Sequence, residues 1–503
     1  MQFILGIDIG TTNTKAIAFT ASGAVIAQAN TTYQPLIPER EAHELDPDTL
    51  LQAVLTVVQE VLAQTGRQQL AGLSFSSAMH SLMALDADGQ PLTRLLTWAD
   101  GRSRRAAEAL KASPDGPAIY QHTGTPLHAM SPLSKLCYWR QQRPALFRQA
   151  AKFVGIKEYL LFRLLGGYWI DHSIASATGL FDIEALDWYM PALAAAGVRP
   201  EQLSRPVPAT TILSGLRPEY ARLLELPTDT PIIIGASDGC LANLGSYALL
   251  PGDASLTIGT SGAVRMLTSR PRVDPLGRTF SYILADGLYV CGGPVNNGAA
   301  LLTWYASRFG QGTPPHTHDL SWFLEAAAQA PAGADGLLFL PYLAGERAPV
   351  WDAYARAAFI GMGPGHQPAH YMRAVVEGIN YSLYQVANAV KETVGDMRTI
   401  YVSGGFIRSG DWLQWLTDLF GQELTVSNTA DASATGAAIL GLKAVGLLPE
   451  LAAARAFLEV QERFVPDPQQ HTRYQQYFKV YEGLYAALHP AFHQLALLGN
   501  DPL

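Results

Sequence analysis

Apolar and polar residues alternate from the first strand of the chain, in Leu5-Gly6-Ile7-Asp8-Ile9-Gly10-Thr11-Thr12-Asn13-Thr14-Lys15. Ile7 and Ile9 alternate with Asp8 and Gly10, which predicts a strand with its apolar side inward and a carboxylate emerging near its end. Ala16 to Phe19 and Ala24 to Ala27 predict two further strands joined by the turn Thr20-Ala21-Ser22-Gly23. Half a chain later the same pattern returns in Leu256-Thr257-Ile258-Gly259-Thr260-Ser261-Gly262-Ala263-Val264. This self-similarity predicts two copies of one nucleotide-holding unit facing each other, residues 1–245 and 246–503. A third β-rich run, Ile400-Tyr401-Val402-Ser403-Gly404-Gly405-Phe406, precedes a helical pattern from about Asp411 to Phe420.

Between these landmarks the periodicity predicts a helix near Pro47 to Gln64, a strand near Gly72 to Ser76, and a hairpin from Ser81 to Leu85 across Asp86 to Gly89. Residues 100–230 mix helical patterns with loops, as insertions that shape a substrate site would. Pro231 to Gly235 starts a strand, and Tyr247 to Asp253 reads as the connector between the halves. The alanine- and leucine-rich segment past residue 447 predicts helices packed on the outside.

Each turn carries its own chemistry. Gly10 lets a phosphate approach the backbone, and Thr11, Thr12 and Thr14 supply hydroxyl donors. A carboxylate does not bind phosphate directly, so Asp8 implies a divalent cation between them, the usual arrangement of Mg²⁺ beside nucleotides. Backbone amides at the Gly404-Gly405 turn favour an anion or a close-packed planar ring. In Ile234-Gly235-Ala236-Ser237-Asp238-Gly239 an apolar strand again ends in a small-residue turn with one carboxylate. An isolated aspartate in such a turn ordinarily only shapes it. No GxxxxGK[ST] pattern occurs in the 503 residues, which excludes a P-loop kinase.

With these turns and two longer signatures, the chain resembles the FGGY carbohydrate kinase family from Gly6 to about Gly446. Met130-Ser131-Pro132-Leu133-Ser134-Lys135-Leu136 resembles the first signature, with Tyr138 where the pattern usually has Trp. Ala357-Ala358-Phe359-Ile360-Gly361-Met362, continuing through His370 to Glu377, resembles the second, with Tyr371 at a usually aliphatic place. The resemblance implies an α/β fold of duplicated ribonuclease-H-like, actin-like ATPase domains, two lobes with a cleft between. It also implies ATP and Mg²⁺ as cofactors, Asp238 as the base that takes the proton of a sugar hydroxyl, and Asp8 as the metal residue. Gly10, Thr11 and Thr12 would meet the phosphates from one side and Gly259, Thr260 and Ser261 from the other. Gly298, Gly404, Gly405, Phe406 and Ser409 would lie toward the adenosine.

Met79, His80, Trp98, Asp100 and Lys157 would grip the sugar, an aromatic face against carbons and polar tips on hydroxyls. The words around Met79-His80, Trp98-Asp100, Lys157, Asp238 and Arg347 resemble the family's gluconate-phosphorylating members most and its xylulose-phosphorylating members next. For a sugar-acid carboxylate the cations in view are Lys157, His80 and Arg102. The same fold also serves filament proteins and chaperone ATPases, which would lack the Met79-His80 and Trp98-Asp100 words, and sugar-sensing repressors, which would need a basic helix-turn-helix. The family's frequent dimers make a homodimer plausible.

Composition narrows the partners. A length of 503 residues implies more than one domain, and 48% apolar with 16% charged residues is a globular profile. The net charge of −8 argues against nucleic acid or an anionic membrane surface as partner. Cys137, Cys240 and Cys291 show no metal spacing and read as buried apolar thiols. The chain opens directly into a strand without a leader pattern and has no long uninterrupted apolar run, which leads to the expectation of a cytoplasmic protein.

Overall fold

A computed structural model describes residues 2–285, 287–309, 320–429 and 431–498. Two mixed sheets dominate it. The first is built from β1 (Phe3–Ile9), β2 (Asn13–Thr20), β3 (Val25–Thr32), β4 (Leu70–Ser77), β5 (Ile212–Leu213) and β6 (Ile232–Ser237). The second contains β7 (Asp253–Ile258), β8 (Gly262–Thr268), β9 (Phe280–Ala285), β10 (Leu288–Val295), β11 (Thr399–Ser403), β12 (Leu424–Ser427) and β13 (Val460–Phe464). Their orders are β5-β6-β4-β1-β2-β3 and β9-β10-β8-β7-β11-β12-β13.

The six strands of the first sheet match six of the second in order, and β9 is one strand more, paired antiparallel to β10. β1, β2 and β3 form an antiparallel meander, and β1, β4 and β6 run parallel. In the second sheet β7, β8 and β10 repeat the meander, and β7, β11 and β12 repeat the parallel run. An antiparallel edge strand closes each copy, β5 beside β6 and β13 beside β12. The apolar alternation that predicts β1 is the cause of its place: Ile4, Leu5, Ile7 and Ile9 are all fully buried, on the two covered faces of a central strand.

The predicted helix near Pro47 to Gln64 forms over Pro47–Thr65. Asp46 caps it, its carboxylate accepting the Thr49 amide at 2.9 Å, with Pro47 in the first turn, where its missing N–H costs nothing. Two local expectations differ from the fold. The turn Asp86 to Gly89 forms, but Met83–Leu85 pairs mainly with Lys152–Val154, and the return leg of the hairpin is a single bridge at Pro91. Past residue 447 the chain is not helical throughout, because Val460–Phe464 adds the edge strand β13 before the helix Pro468–Leu498. That stretch is polar and solvent-facing, and its pairing with β12 is a long-range contact that local periodicity does not announce. No helix among the described residues is long and apolar enough to cross a membrane.

The halves meet through two crossed helices, each following the last parallel strand of its sheet. Asp238–Gly245 follows β6, and Ala432–Ala444 follows β12 but lies against β1 and β4 of the first sheet. Their approach is closer than any side chain permits: a Cβ on Gly245 would stand 1.8 Å from the Ala432 carbonyl oxygen, and one on Gly436 2.0 Å from that of Leu241. Gly436→Ala should therefore force the helices apart. Overpacking of this kind costs about 1–3 kcal/mol, so a clear drop in the midpoint of thermal unfolding is expected, and an unchanged midpoint would show that the crossing yields easily.

Candidate active site

Parallel strands present their carboxyl ends to the gap between the halves, where open α/β sheets place ligands. At the end of β1 the Asp8 carboxylate accepts the Ser76 hydroxyl of β4 at 2.6 Å. Asp238 opens its helix, with Oδ1 accepting the Gly239 amide at 2.8 Å and, more weakly, the Met79 amide at 3.4 Å. Asp431 caps the other crossed helix by accepting the Ala434 amide at 3.1 Å and pairs with Lys15 at 2.7 Å. All three line one cavity of about 310 Å³, together with Thr257, Arg265, Ser403 and Gly404.

Three carboxylates converging on a partly enclosed space are expensive without a cation. Burial first, then the charges of Asp431 and Asp238, push the Asp8 carboxyl up to about 7. Burial likewise raises Asp238, opposed by the Gly239 amide and the positive charge of Arg265. This all-oxygen donor set suits Mg²⁺ chemically.

A second cavity of about 170 Å³ adjoins the first and shares Asp238, Gly239, Thr257 and Arg265 with it. Its other walls include Met79, His80, Trp98, Met130, Tyr282 and Arg347. His80 holds a positive φ of 67°, a strained backbone for a residue with a Cβ, directly after β4. Its Nδ1–H donates to the Ala177 carbonyl at 2.8 Å, and burial lowers its pKa to about 3, so the ring is neutral with Nε2 as an acceptor. The buried Lys135 amine donates to the carbonyls of His80 at 2.6 Å and Thr97 at 2.7 Å. One lysine thus ties together the two segments that carry His80 and Trp98.

Two guanidinium groups face this cavity. Burial lowers the pKa of both, Arg347 to about 10, yet both stay charged at neutral pH. The Arg347 guanidinium lies over the Trp98 ring at 4.6 Å, and its Nη2 donates to the Val295 carbonyl at 3.1 Å. Its Nε–H, and the Nη1 group of Arg265, are buried without a hydrogen-bond partner among the described residues. Orphaned buried donors on cations are costly.

Several predicted site residues lie elsewhere. Lys157 is buried in a 2.7 Å ion pair with Asp171 and donates to the Ala236 carbonyl at 3.0 Å, behind the strand that carries Asp238 rather than in the cavity. Asp100 is engaged by Arg102 at 2.7 Å and by the His43 amide, so acid and cation satisfy each other outside the lining. Phe406 buries its ring against Trp412 in the second core, leaving only backbone for a ligand. Ser409 accepts the Trp412 amide as a helix cap. Gly10, Thr11 and Thr12 form the β1–β2 turn outside the walls of both cavities, and Ser261 lines the smaller cavity. Gly259 and Thr260 form the β7–β8 turn, and Gly298 backs it, its amide donating to the Thr260 carbonyl at 3.0 Å. Gly404, at φ 106°, lines the larger cavity, with Gly405 starting the short helical turn after it.

Arg265, Asp431 and Lys135 were not singled out as site residues by sequence, and Arg347 only as part of a word. Arg265 had a signal: it is the one charge in the apolar strand Gly262–Thr268.

Comparisons with known proteins agree along the whole chain. Residues 3–245 match the model of the N-terminal domain of the FGGY family of carbohydrate kinases, and residues 254–445 match that of its C-terminal domain. The chain is 39% identical to the gluconokinase of Bacillus subtilis (strain 168), over 98% of each chain. The solved gluconate kinase of Lactobacillus acidophilus superimposes with a TM-score of 0.93 at 33% identity, covering 98% of this chain and 99% of that one. A ligand-bound xylulose kinase structure from the same organism gives the same TM-score and identity, over 98% and 100%. The duplicated ribonuclease-H-like, actin-like architecture is therefore the fold of this chain.

Lys135→Met would leave the carbonyls of His80 and Thr97 unpaired while keeping side-chain bulk. An unsatisfied buried group costs about 1–3 kcal/mol, so KM for the phosphoryl acceptor should rise roughly tenfold with KM for ATP nearly unchanged. Steady-state rates with each substrate varied in turn check this, and an equal rise in both constants would remove the positioning role.

Proposed function

This chain belongs to the FGGY family of carbohydrate kinases, and on that footing we propose that it transfers the γ-phosphoryl group of ATP to D-gluconate, giving 6-phosphogluconate. The observation that carries the choice of a sugar acid is the pair Arg265 and Arg347, two guanidinium groups at the walls of the acceptor cavity. A carboxylate accepts such donors in short, charge-assisted hydrogen bonds. A neutral ketose offers the two guanidinium groups no anionic acceptor. The gluconokinase relative at 39% identity supports the same reading.

In this reading Met79, His80 and Trp98 hold the carbon chain, with His80 Nε2 accepting from a hydroxyl. Asp238, shared by both cavities, hydrogen-bonds the hydroxyl that reacts. As that oxygen attacks the γ-phosphorus and ADP leaves, the hydroxyl proton passes to the Asp238 carboxylate and then to solvent. The raised pKa of Asp238 makes it a better proton acceptor than an exposed aspartate. Asp8 would hold Mg²⁺ with Asp431 nearby, and the bound cation neutralises charge on the phosphates. Arg265, on the wall common to both cavities, adds positive charge where the phosphoryl group crosses.

Two experiments test the assignment. Comparing kcat/KM for D-gluconate and D-xylulose in the parent and in Arg347→Leu should show gluconate preferred and its KM raised about tenfold to a hundredfold by the variant, the worth of a charge-assisted hydrogen bond of ~1.5–3 kcal/mol. Xylulose turnover should change little. A parent that prefers xylulose would replace the sugar-acid reading with a pentulose one. In Arg265→Leu, a fall in kcat shared by both substrates would assign that guanidinium to the phosphates.

The second concerns the cation. With Asp8 held near 7 when no cation is bound, protons and Mg²⁺ compete for the same carboxylate. Affinity for Mg²⁺ with a non-hydrolysable ATP analogue should thus be full at pH 8 and weaken by roughly tenfold at pH 6. Calorimetry on Asp8→Asn, which lacks the titrating group, should show lower affinity and a flatter pH dependence. The same slope in both proteins would remove Asp8 from the metal site.

A further inference from the structure

Far along the chain from the cleft residues, a second cluster of metal-binding groups joins the C-terminal helix to the segment that carries Arg347. His489 and His493 stand four residues apart in the helix Pro468–Leu498, hence on one face. Their Nε2 atoms lie 3.9 and 3.2 Å from Oδ2 of Asp352. We propose that Asp352, His489 and His493 form a binding site for a borderline divalent cation of the Zn²⁺ type, which clamps the C-terminal helix onto the Arg347 segment.

Donor identity and spacing carry the argument. One carboxylate and two imidazoles, the latter at i and i+4 of a helix, are a zinc-type set, whereas Mg²⁺ and Ca²⁺ favour oxygen alone. Ligand atoms 2.0–2.1 Å from a tetrahedral centre lie roughly 3.3 Å apart. The three donor atoms here all fall within 4.8 Å of one another, and two pairs are at 3.2 and 3.9 Å, so small side-chain rotations complete the geometry.

The surroundings hold the carboxylate as a ligand. Asp352 is only 8% exposed, its Oδ1 accepts the Tyr354 amide at 2.7 Å, and its Oδ2 accepts the Tyr485 hydroxyl at 3.0 Å. Such outer hydrogen bonds orient first ligands in metal sites. Burial and the Asp352 charge keep the Tyr485 phenol protonated, and Glu108 adds negative charge nearby. The imidazoles reach solvent, with side-chain exposures of 44% and 36%, which gives a cation a path in and leaves a fourth position for water.

The consequence runs to the acceptor cavity. Asp352 bridges back to Glu346 through two backbone hydrogen bonds of 2.9 and 3.0 Å, and Arg347 follows directly. A cation at Asp352 therefore ties Arg347 to a helix outside the sheets. A bare imidazole–carboxylate ion pair would hold the same elements without any metal dependence, and that is the competing account.

The test uses the full chain, treated with chelator and returned to buffer with Mg²⁺ to occupy oxygen-rich sites, then titrated with ZnCl₂. Equilibrium dialysis with elemental analysis should give about one tightly held Zn²⁺ per chain, and the unfolding midpoint should rise with Zn²⁺. His489→Ala and His493→Ala, both surface changes, should weaken that binding at least tenfold and abolish the thermal shift. His366→Ala with His370→Ala, another half-buried pair four residues apart, should keep both. Absence of bound Zn²⁺ in the parent, or equal losses in the two sets of variants, would overturn the proposal.

Discussion

Everything at the cleft depends on the contact between the helices Asp238–Gly245 and Ala432–Ala444. Backbone meets backbone there, through Gly245 and Gly436, so neither helix can shift far without the other. The first residue of one helix is Asp238 and the cap of the other is Asp431, and both carboxylates face the larger cavity. Ala432–Ala444 belongs by sequence to the second half but packs on the first sheet, where a Cβ on Gly6 of β1 would stand 2.2 Å from the Ala434 carbonyl oxygen. The halves thus complete each other's layers. A rotation of one lobe against the other must pivot about this crossing, which keeps the three carboxylates together while the outer walls of the cleft open or close.

Charge is divided along the same line. The larger cavity gathers Asp8, Asp238 and Asp431, while the smaller one gathers Arg265 and Arg347, and Asp238 and Arg265 stand where the two meet. Each set is buried and raises the energy of the empty protein. In the proposed reaction both sets would be compensated by ligands of opposite sign, a cation with phosphates on one side and an anionic acceptor on the other. Preorganised charge of this kind costs stability in the free protein and needs no reorganisation when the phosphoryl group moves. Local strain agrees with that pattern, since His80 sits at φ 67° between the strand β4 and the acceptor.

Much of this was legible in the chain because the informative signals are local. A strand ending on Asp8, a turn at Gly259 to Gly262 and a strand ending at Asp238 all reveal themselves within ten residues, and Met79, His80 and Trp98 lie at the ends of short apolar runs. The cations were not legible in that way. Lys157 and Arg102 stand in promising words, yet each is neutralised by an acid, Asp171 in one case and Asp100 in the other, and only the fold shows the pairing. Arg265 and Arg347 reach the same cavity from strands and loops more than 80 positions apart. Asp431 lies in a loop after β12, and its meeting with Asp8 spans most of the chain. Phe406 illustrates the reverse error, because an aromatic after a glycine turn suits a planar ligand as well as it suits the core that actually holds it.

The duplication explains why one acid, and not two, sits at the phosphate turns. Asp8 pairs in register with Ser76 across β1 and β4, and their side chains are hydrogen-bonded at 2.6 Å. At the equivalent place in the second sheet Thr257 pairs with Ser403 across β7 and β11, again with side chains in contact, at 3.1 Å. The geometry is the same and the charge is not. An acid at both positions would put two further buried carboxylates beside Asp238 and Asp431, and their mutual repulsion would protonate one of them rather than strengthen a cation site. A hydroxyl at Thr257 keeps the hydrogen bond and adds no charge. The two copies thus share one backbone frame and differ in charge, and in the proposed reaction the first would hold the cation through Asp8 while the second, through β8, supplies the positive charge of Arg265.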